Sequence, residues 1–304
     1  MNNICSGKMD VVAIVVTYNP LLANVWRLTA ALAAQVDKII VVDNGSANIA
    51  QLRAGCENLP QIELLALTRN MGIAYAQNAG NDCARKAGAQ YLIYFDQDSV
   101  ITAQFVAPLK AAFLSLSSTC RVALVAPVFK DEKKDFFYPL VWFNRYGTRR
   151  KTVPTGKETN PIPVSIAISS GSFTSMAVMD DVGAMRSDFF IDYVDIEWCL
   201  RAVHAGYVLF AIPAVCMLHS IGDRSIPFLK WRLAIHSEWR RYYRIRNGFL
   251  LLRLPHVPKL LALREVVVNL VHQFILIVTQ NNRQLQLKYL WRGVRDGLCA
   301  LRRT

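Results

Sequence analysis

The tripeptide Asp96-Gln97-Asp98 places two carboxylates two residues apart, directly after the apolar segment Tyr91–Phe95. Carboxylate oxygens are hard ligands, and a pair at this spacing can bind Mg²⁺ or Mn²⁺ directly or through water. Such a cation bridges a diphosphate and stabilises the charge that develops on a leaving phosphate. A solvated acidic turn has the same sequence, because D-x-D is common by chance. The position at the end of a predicted strand favours the metal site.

Three further acids, Asp192, Asp195 and Glu197, lie within six residues of one another. On a helix that begins near Val194, Asp195 and Glu197 are about 200° apart, so they cannot both face one site. We expect one acid to act as a general base and another to pair with Arg201, four residues after Glu197. The alternative is an acidic first turn that stabilises the helix dipole.

Two more segments carry residues with possible chemistry. Arg69-Asn70-Met71-Gly72 follows a predicted strand and precedes a predicted helix, whose N-terminus favours an anion. Arg69 could pair with phosphate and Gly72 allows close backbone approach, although an ordinary loop explains the sequence equally well. His219 is a lone histidine, which is more often structural than metal-bound unless carboxylates lie nearby.

The elements that must position these residues alternate between strands and helices, which predicts a mostly parallel, doubly wound α/β sheet. Thr17, Asp43 and Asp96 fall at the carboxyl ends of predicted strands, where such sheets bind ligands. The predicted strands are Val11–Val16, Lys38–Val42, Ile62–Leu67, Tyr91–Phe95, 121–128, Ser165–Met179 and Tyr207–Ile212. The predicted helices are Leu21–Ala34, Ile49–Cys56, Ala74–Ala87, 104–116 and Val194–Ala205. Residues 130–164 are predicted to form a long surface excursion.

The composition excludes a disordered protein, because 53% of the 304 residues are hydrophobic. The net charge of +13 is uneven. Residues 1–220 contain 19 Lys and Arg against 18 Asp and Glu, whereas residues 221–304 contain 16 against 4. We therefore predict a near-neutral catalytic domain at 1–225 and a basic helical extension at 226–304. The seven cysteines show no C-x-x-C spacing, so neither a disulfide framework nor a zinc site is expected.

The basic extension contains the apolar run Val266–Val278, which as a helix reaches roughly 20 Å, short of a hydrocarbon core of about 30 Å. One polar face of the predicted helix holds Glu265, Asn269, His272, Gln273 and Gln280. This pattern is typical of a helix at a membrane surface, with flanking arginines near anionic lipid and aromatic residues at the headgroups. The alternatives are a helical cap on the catalytic domain or a dimer contact.

Several segments together resemble the family 2 inverting glycosyltransferases of GT-A fold. The resembling segments are Ile14-Val15-Val16-Thr17-Tyr18-Asn19, Val41-Val42-Asp43-Asn44-Gly45-Ser46, Asn70-Met71-Gly72 with Asn78, Asp96-Gln97-Asp98, Asp195 with Glu197, and His219. Within that family the chain is similar to bacterial rhamnosyltransferases that use dTDP-L-rhamnose. The branch is indicated by Phe95–Ser99 and by the stretch His236–Asn247. The chain departs from the family where Val194-Asp195 replaces a Glu-Asp pair.

The resemblance implies a role for each matching residue. Asp195 is implied as the catalytic base, and the metal ligands are implied to be Asp98, His219 and Asp96. The nucleotide sugar is implied to contact Thr17, Tyr18, Asn19, Asp43, Arg69, Asn70, Gly72, Asn78, Asp96 and Gln97. The acceptor side is implied to include Gly171, Ser172, Glu197 and Trp198.

The resemblance further implies transfer of L-rhamnose from dTDP-L-rhamnose to a glycan or lipid-linked glycan in bacterial surface polysaccharide synthesis, of O-antigen or capsule type. The polar N-terminus reads as the start of a strand, not a signal peptide, so we expect a cytoplasmic protein, peripheral on the inner membrane. One alternative is a UDP-sugar donor. A nucleic-acid-binding protein is a weaker alternative, because neither zinc spacing nor an RNP-like sequence is present. A non-catalytic scaffold with this fold is the third.

Overall fold

The computed structural model describes residues 9–57, 59–131, 136–219, 224–228, 231–235 and 237–302, with the backbone alone described at 219, 224–228 and 231–235. The main sheet has eight strands in the order β3-β2-β1-β4-β9-β5-β10-β8. These strands are β1 Val11–Thr17, β2 Lys38–Asp43, β3 Ile62–Ala66, β4 Tyr91–Asp96, β5 Val122–Asp131, β8 Ile162–Val164, β9 Phe173–Ser175 and β10 Val208–His219. The predicted α/β class with a mixed sheet is confirmed.

The first four strands form the parallel half of the sheet. Strand β1 is buried along its whole length, because its Val and Ile side chains pack under helices on both faces. The helices of this half are α1 Leu22–Ala33, α2 Ile49–Cys56 and α3 Ile73–Lys86, followed by α4 Val106–Ser117 after β4. The parallel register sets Thr17 beside Asp43 and Val16 beside Asp96, so these strand ends lie together as expected.

The second half of the sheet is mixed, because β9 runs antiparallel to both β4 and β5. The prediction of a strand through Ser165–Met179 holds only at β9, because residues 165–172 are turns and irregular backbone and the strand ends at Ser175. There α5, Met176–Val182, begins, and its first turn is capped by the Ser175 hydroxyl, which accepts a hydrogen bond from the Val178 amide at 3.2 Å. After a 3-10 turn at Ser187–Phe189, α6 spans Val194–His204, within one residue of its prediction.

The predicted excursion at 130–164 contains the hairpin formed by β6, Leu140–Phe143, and β7, Arg149–Thr152. Its turn is closed by the Asn144 side chain, whose Oδ1 accepts from the amides of Tyr146 and Thr148 at 3.0 and 2.9 Å. The turn residue Gly147 has φ of +88°, and a Cβ atom there would come within 2.8 Å of Leu261. The hairpin is therefore seated against the C-terminal part of the chain.

The extension after β10 is not helical throughout, because β11, Arg224–Phe228, and β12, Trp231–Ile235, form a two-stranded hairpin first. Three helices follow: α7 Glu238–Arg253, α8 Lys259–Thr279 and α9 Arg283–Arg302. The end of α7 and the start of α8 join the main core through Leu250, Leu251 and Leu261. The domain boundary at residue 225 remains a prediction.

Helix α8 turns its polar side inward. Asn269 and Gln273 are buried, and Gln273 accepts from Arg241 Nε at 2.9 Å and donates to Gln286 Oε1 at 2.7 Å. The opposite, apolar side is at least half exposed at Leu260, Leu263, Val267, Val268, Val271, Phe274 and Val278. By length and composition α8 is the one helix of the described residues long and apolar enough to cross a membrane.

Candidate active site

A cavity of 590 Å³ opens at the carboxyl ends of β1 and β4. Six of the residues predicted to contact the nucleotide sugar line it. They are Thr17, Tyr18, Asn70, Gly72, Asp96 and Gln97. Gln97 also fixes the neighbouring loop, because its Oε1 accepts from the Tyr18 amide at 2.7 Å. The sequence therefore located this wall of the cavity correctly by the rule of strand ends.

Asp43 supports this wall from behind and does not line the cavity. The carboxylate is fully buried and accepts from the Thr17 hydroxyl at 3.1 Å and from the Ser46 amide at 2.9 Å. The next residue, Asn44, lines the cavity instead. Its Oδ1 accepts from the Met71 amide at 2.8 Å, which ties the two loops together.

The loop after β3 approaches the segment before α6 very closely. Gly72 has φ of +89°, and a Cβ atom there would lie 2.6 Å from the Phe190 carbonyl oxygen. That oxygen accepts a hydrogen bond from the Ile73 amide at 2.7 Å. Glycine is required here because any side chain would separate the two loops.

Residues 190–193 form a strained segment, because Phe190, Asp192 and Tyr193 all have positive φ between 62° and 65°. Asn247 of α7 holds this segment. Its buried Nδ2 lies 2.9, 2.8 and 3.0 Å from the carbonyl oxygens of Phe189, Ile191 and Asp192. Helix α7 thereby fixes the backbone that leads into α6 and Asp195.

Asp195 lies in the wall between this cavity and a second one of 360 Å³. Ile168 and Ile196 line both cavities with it. Burial raises the pKa of Asp195 to about 6, against the lowering effect of the Ile196 amide that donates to its Oδ1 at 2.8 Å. Repulsion from Asp192 and Asp96 raises the pKa further. A carboxylate with this pKa, reached from two cavities, is suited to general base catalysis.

Two arginines that the sequence motifs did not assign also line the first cavity. Arg240 forms a two-point ion pair with Asp192, with Nε–Oδ2 and Nη2–Oδ1 distances of 3.0 Å each. Arg244, one turn further along α7, has its Nη1 3.7 Å from Asp192 Oδ1. The stretch His236–Asn247 pointed to this region, but no local pattern showed that it returns to the strand ends.

Glu197 and Trp198 were expected on the acceptor side, and the structure corrects both. Glu197 is fully buried and forms an ion pair with Arg201, at 3.0 Å to Nε and 2.9 Å to Nη2, as the spacing predicted for one acid. His256 Nε2 lies 2.8 Å from its Oε1. Trp198 is buried and donates to the Gly183 carbonyl at 2.9 Å. Both side chains support the fold around α6.

Five other predicted residues line neither the first nor the second cavity. Asn78 binds the Met185 backbone through both side-chain atoms at 2.8 Å, and Asn19 accepts from the Ala47 amide at 2.8 Å. The exposed Arg69 contacts Met71 and does not line the first cavity. Gly171 and Ser172 directly follow Ser169 and Ser170, which line the first cavity, but do not line it themselves. Gly171 is needed there because its φ is +77° and a Cβ atom would meet Pro127 at 2.8 Å.

The residues predicted to hold a metal lie around the end of β4. Asp96 lines the first cavity, and Asp98 is exposed beside it. An antiparallel bridge between Val100 and Leu218 brings the backbone of His219 to the same turn, although its side chain lies outside the described residues. Among side chains that the structure describes, no group of three or more metal-ligating residues is found.

The comparison with known proteins agrees with this geometry. Residues 12–176 match the family described as glycosyl transferase family 2. The chain is 40% identical over 289 residues to the dTDP-rhamnosyl transferase RfbF of Shigella flexneri, covering 95% of both proteins.

Solved structures share the fold at low identity. GalNAc-T7 in a complex with UDP, GalNAc and Mn²⁺ matches 91% of this chain at 14% identity and a TM-score of 0.57. This chain spans 58% of that protein's length. Residues 1–349 of S. aureus TarS with UDP-GlcNAc match 96% of this chain at 15% identity, also with a TM-score of 0.57, over 81% of their own length. By its family match and its close relative, the chain belongs to glycosyl transferase family 2 and is a glycosyltransferase.

Proposed function

We propose that the enzyme transfers L-rhamnose from dTDP-L-rhamnose to a hydroxyl of a glycan acceptor during synthesis of a bacterial surface polysaccharide. The donor is suggested by the 40% identical relative, whose name specifies dTDP-rhamnosyl transfer. The observation that carries the reaction is the position of Asp195, which both cavities reach. A UDP-sugar is the alternative donor, as in the TarS complex.

The first cavity serves the nucleotide sugar in this proposal. Arg240 and Arg244 extend over it from α7, and Asp192 restrains Arg240 in a fixed orientation. Guanidinium groups bind phosphate oxygens strongly, since they offer several charge-assisted hydrogen bonds. These two side chains take the role that the sequence resemblance implied for Arg69.

Asp195 accepts the proton of the acceptor hydroxyl as that oxygen attacks the anomeric carbon. Attack from the face opposite the diphosphate inverts the configuration in one displacement, and no covalent nucleophile is needed. A pKa of about 6 leaves Asp195 mostly ionised at neutral pH, yet basic enough to take up a proton. The strained segment held by Asn247 fixes where this carboxylate lies.

The site also fits a divalent cation. Among the described residues that line the first cavity, the carboxylates of Asp96, Asp192 and Asp195 outnumber the two arginines, so an anionic nucleotide sugar is repelled unless a cation joins it. Asp96 and Asp98 would hold Mg²⁺ or Mn²⁺, with His219 as a further ligand, since carboxylate oxygens suit these ions. When bound, the ion supplies Lewis-acid stabilisation of the leaving diphosphate.

The acceptor in this proposal is a lipid-linked glycan, and the enzyme works in the cytoplasm at the inner membrane surface. The support is the exposed apolar side of α8, which is one continuous face because its residues recur every three or four positions. Residues 221–304 add a net charge of +12, which favours an anionic bilayer. The inward polar side, anchored by Arg241 and Gln273, keeps α8 on the protein surface rather than across a membrane.

A donor screen tests the proposal. Purified enzyme is supplied with dTDP-L-rhamnose, UDP-glucose or UDP-N-acetylglucosamine, and nucleotide release is measured with Mg²⁺, with Mn²⁺ and with a chelator. We expect release from dTDP-L-rhamnose to exceed that from the UDP-sugars. Faster release from a UDP-sugar would overturn the donor assignment.

A further inference from the structure

Two isoleucines flank Asp195 where the two cavities meet. Ile168 and Ile196 line both cavities, as Asp195 does. Of the described residues that line the first cavity, three large hydrophobic ones are exposed, namely Tyr18, Ile168 and Trp239. Among these three, Ile168, which is 37% exposed, is the one that also lines the second cavity. An apolar wall that is open to a ligand therefore lies directly beside the proposed base.

The backbone that carries Ile168 is held on both sides of this residue. Before it, the Ser165 amide donates to the Val141 carbonyl at 2.9 Å. After it, the Gly171 amide donates to the Tyr94 carbonyl of β4 at 2.7 Å. These bonds tie the segment to the hairpin of β6 and β7 and to the main sheet. The exposed side chain therefore has a fixed place in the wall, which a site that selects its ligand by shape requires.

Ile196 has an equally fixed relation to the base, and polar residues lie close by. Ile196 follows Asp195 in the first turn of α6, and its amide donates to Asp195 Oδ1 at 2.8 Å. Two residues after Ile168, Ser170 lines the first cavity, and its Oγ accepts from the Asp96 amide at 3.3 Å. The region of the first cavity next to the base therefore combines an apolar side with a polar side.

The transferred sugar has to lie in this region. In the proposed function the donor occupies the first cavity, which leaves the second to the acceptor. A base acts at hydrogen-bond distance from the acceptor hydroxyl, and the attacking oxygen comes within about 3.5 Å of the anomeric carbon. The anomeric carbon is therefore close to Asp195 in the reacting complex. C5 of the sugar is joined to that carbon through the ring oxygen, so C6, its substituent, also lies near the residues beside the base.

We propose that Ile168 and Ile196 make the enzyme selective for a 6-deoxy sugar, because they contact the C6 methyl group of the L-rhamnose unit. The ring hydroxyls face the polar side of the cavity, near Asp96 and Ser170. A hydroxyl on C6 would be buried against the apolar wall and would lose its hydrogen bonds to water. This inference rests on the proposed function, because it takes dTDP-L-rhamnose as the donor and the first cavity as its site.

Two donors that differ at C6 alone test the inference. We compare dTDP-L-rhamnose with dTDP-L-mannose, which has the same ring configuration and a hydroxyl on C6. Binding to the full-length enzyme with Mg²⁺ is measured by calorimetry, and release of dTDP is measured under the same conditions. We expect kcat/KM to be at least about tenfold higher for dTDP-L-rhamnose, within the range over which an apolar pocket rejects an added hydroxyl. Equal kcat/KM and equal Kd for the two donors would overturn the inference.

The variant Ile168→Thr tests the wall, with Ile168→Val as its matched control. Threonine and valine have nearly the same shape, and only threonine brings a hydroxyl that can bond to the 6-hydroxyl of dTDP-L-mannose. We expect Ile168→Thr to narrow the preference for dTDP-L-rhamnose about threefold, the effect of one hydrogen bond, and Ile168→Val to keep the native preference. A native preference in Ile168→Thr, or the same loss in both variants, would contradict the role of Ile168.

Two further variants separate the wall from the segment that carries it. Ile166→Thr is the positional control, because Ile166 lies on the same segment as Ile168 and lines the second cavity but not the first. It should keep the native donor preference, whereas Ile196→Thr should narrow the preference as Ile168→Thr does. If Ile166→Thr narrowed the preference as much as Ile168→Thr, selection at C6 by the wall would be overturned.

The two proposals fail in different ways. Faster nucleotide release from a UDP-sugar than from dTDP-L-rhamnose would overturn the proposed donor. Release of dTDP from dTDP-L-rhamnose and dTDP-L-mannose with equal kcat/KM would retain dTDP-L-rhamnose as a donor and overturn selection at C6.

Discussion

The two cavities on either side of Asp195 differ in how their charges are balanced. In the first, carboxylates face arginines, and Asp192 pairs with Arg240 at 3.0 Å. In the second, the wall is mostly apolar, and the described charged residues that line it are Arg149 and Lys151 of β7 and the carboxylate of Asp195. In the proposed function, Asp195 therefore lies between a polar cavity, which would need a cation to bind an anion, and a more apolar cavity lined by two cations.

The two cavities are also formed by different parts of the chain. The first cavity combines strand ends from the N-terminal half with Arg240 and Arg244 of α7. The second depends on β5, β8 and the hairpin of β6 and β7. Variants can therefore weaken donor and acceptor binding separately, and the following predictions use that separation.

The largest effect is expected at the shared residue. Asp195→Asn removes the base and keeps the size of the side chain, so transfer should fall by roughly 10²- to 10⁴-fold. Because neither cavity changes shape, binding of dTDP and of the acceptor should stay near native. Kinetics and calorimetry together check this. Near-normal transfer by the variant would mean that Asp195 is not the base.

Removal of divalent metal should mainly affect the first cavity. A chelator should lower transfer by about 100-fold or more, because three carboxylates then oppose the diphosphate and its leaving charge is less stabilised. Addition of Mg²⁺ or Mn²⁺ should restore the rate, whereas Asp98→Asn should need more metal. Binding of the acceptor should be unchanged by the chelator. A rate that is indifferent to chelation would reject the metal roles of Asp96 and Asp98.

Arg244→Gln tests binding of the donor alone. Loss of one charge-assisted contact should raise the KM for the nucleotide sugar about tenfold, with the KM for acceptor unchanged. Arg253→Gln, at the exposed last residue of the same helix, is the matched control for lost charge. If acceptor KM rose instead, the assignment of the two cavities would be reversed.

The pH dependence reports on Asp195 itself. The reaction needs the ionised carboxylate, and the raised pKa means that protonation begins as pH falls through about 6. At pH 5 we expect kcat/KM to be about tenfold below its plateau. Asp192→Asn should move this acidic limb to lower pH, because repulsion from Asp192 raises the pKa of Asp195. If kcat/KM fell only at the lower pH at which an exposed aspartate is protonated, the assignment of a buried base would be contradicted.

The smallest catalytic effect is expected from the outer side of α8. Val271→Glu/Phe274→Glu should reduce flotation with anionic liposomes and leave turnover of a soluble acceptor unchanged, because both side chains are exposed. Leu114→Glu, an exposed apolar position on α4, is the control. Unaltered flotation would reject α8 as the membrane contact, and a dimer that the double variant dissociates in size-exclusion chromatography would assign this face to a second copy.

The sequence predicted the parallel half of the sheet well, since runs such as Val11–Val16 and Lys38–Val42 have one strong structural preference. It also placed Thr17, Asp96 and Asp195 at the site, because ligands of such sheets gather at strand ends. Asp43 is buried and does not line the first cavity, so its predicted contact with the nucleotide stays a prediction. A side chain that holds a loop from behind has the same sequence position as one that faces the ligand.

The rest of the site could not be predicted from the local sequence. Arg240 and Asn247 reach the segment 189–192 across about 50 residues, and nothing near them in the sequence encodes that contact. The polar face of α8 was equally ambiguous. Such a face can lie in solvent or pack against a polar partner such as Arg241. Glu197 was resolved only by its burial beside Arg201.

The most direct test of the account is a crystal structure of the enzyme with dTDP, Mg²⁺ and an acceptor analogue. The quantity to measure is the distance from the acceptor hydroxyl oxygen to the nearer Asp195 carboxylate oxygen. We predict about 3 Å, with dTDP beside Arg240 and Arg244. A nucleotide in the second cavity, or an acceptor hydroxyl out of reach of Asp195, would contradict the account.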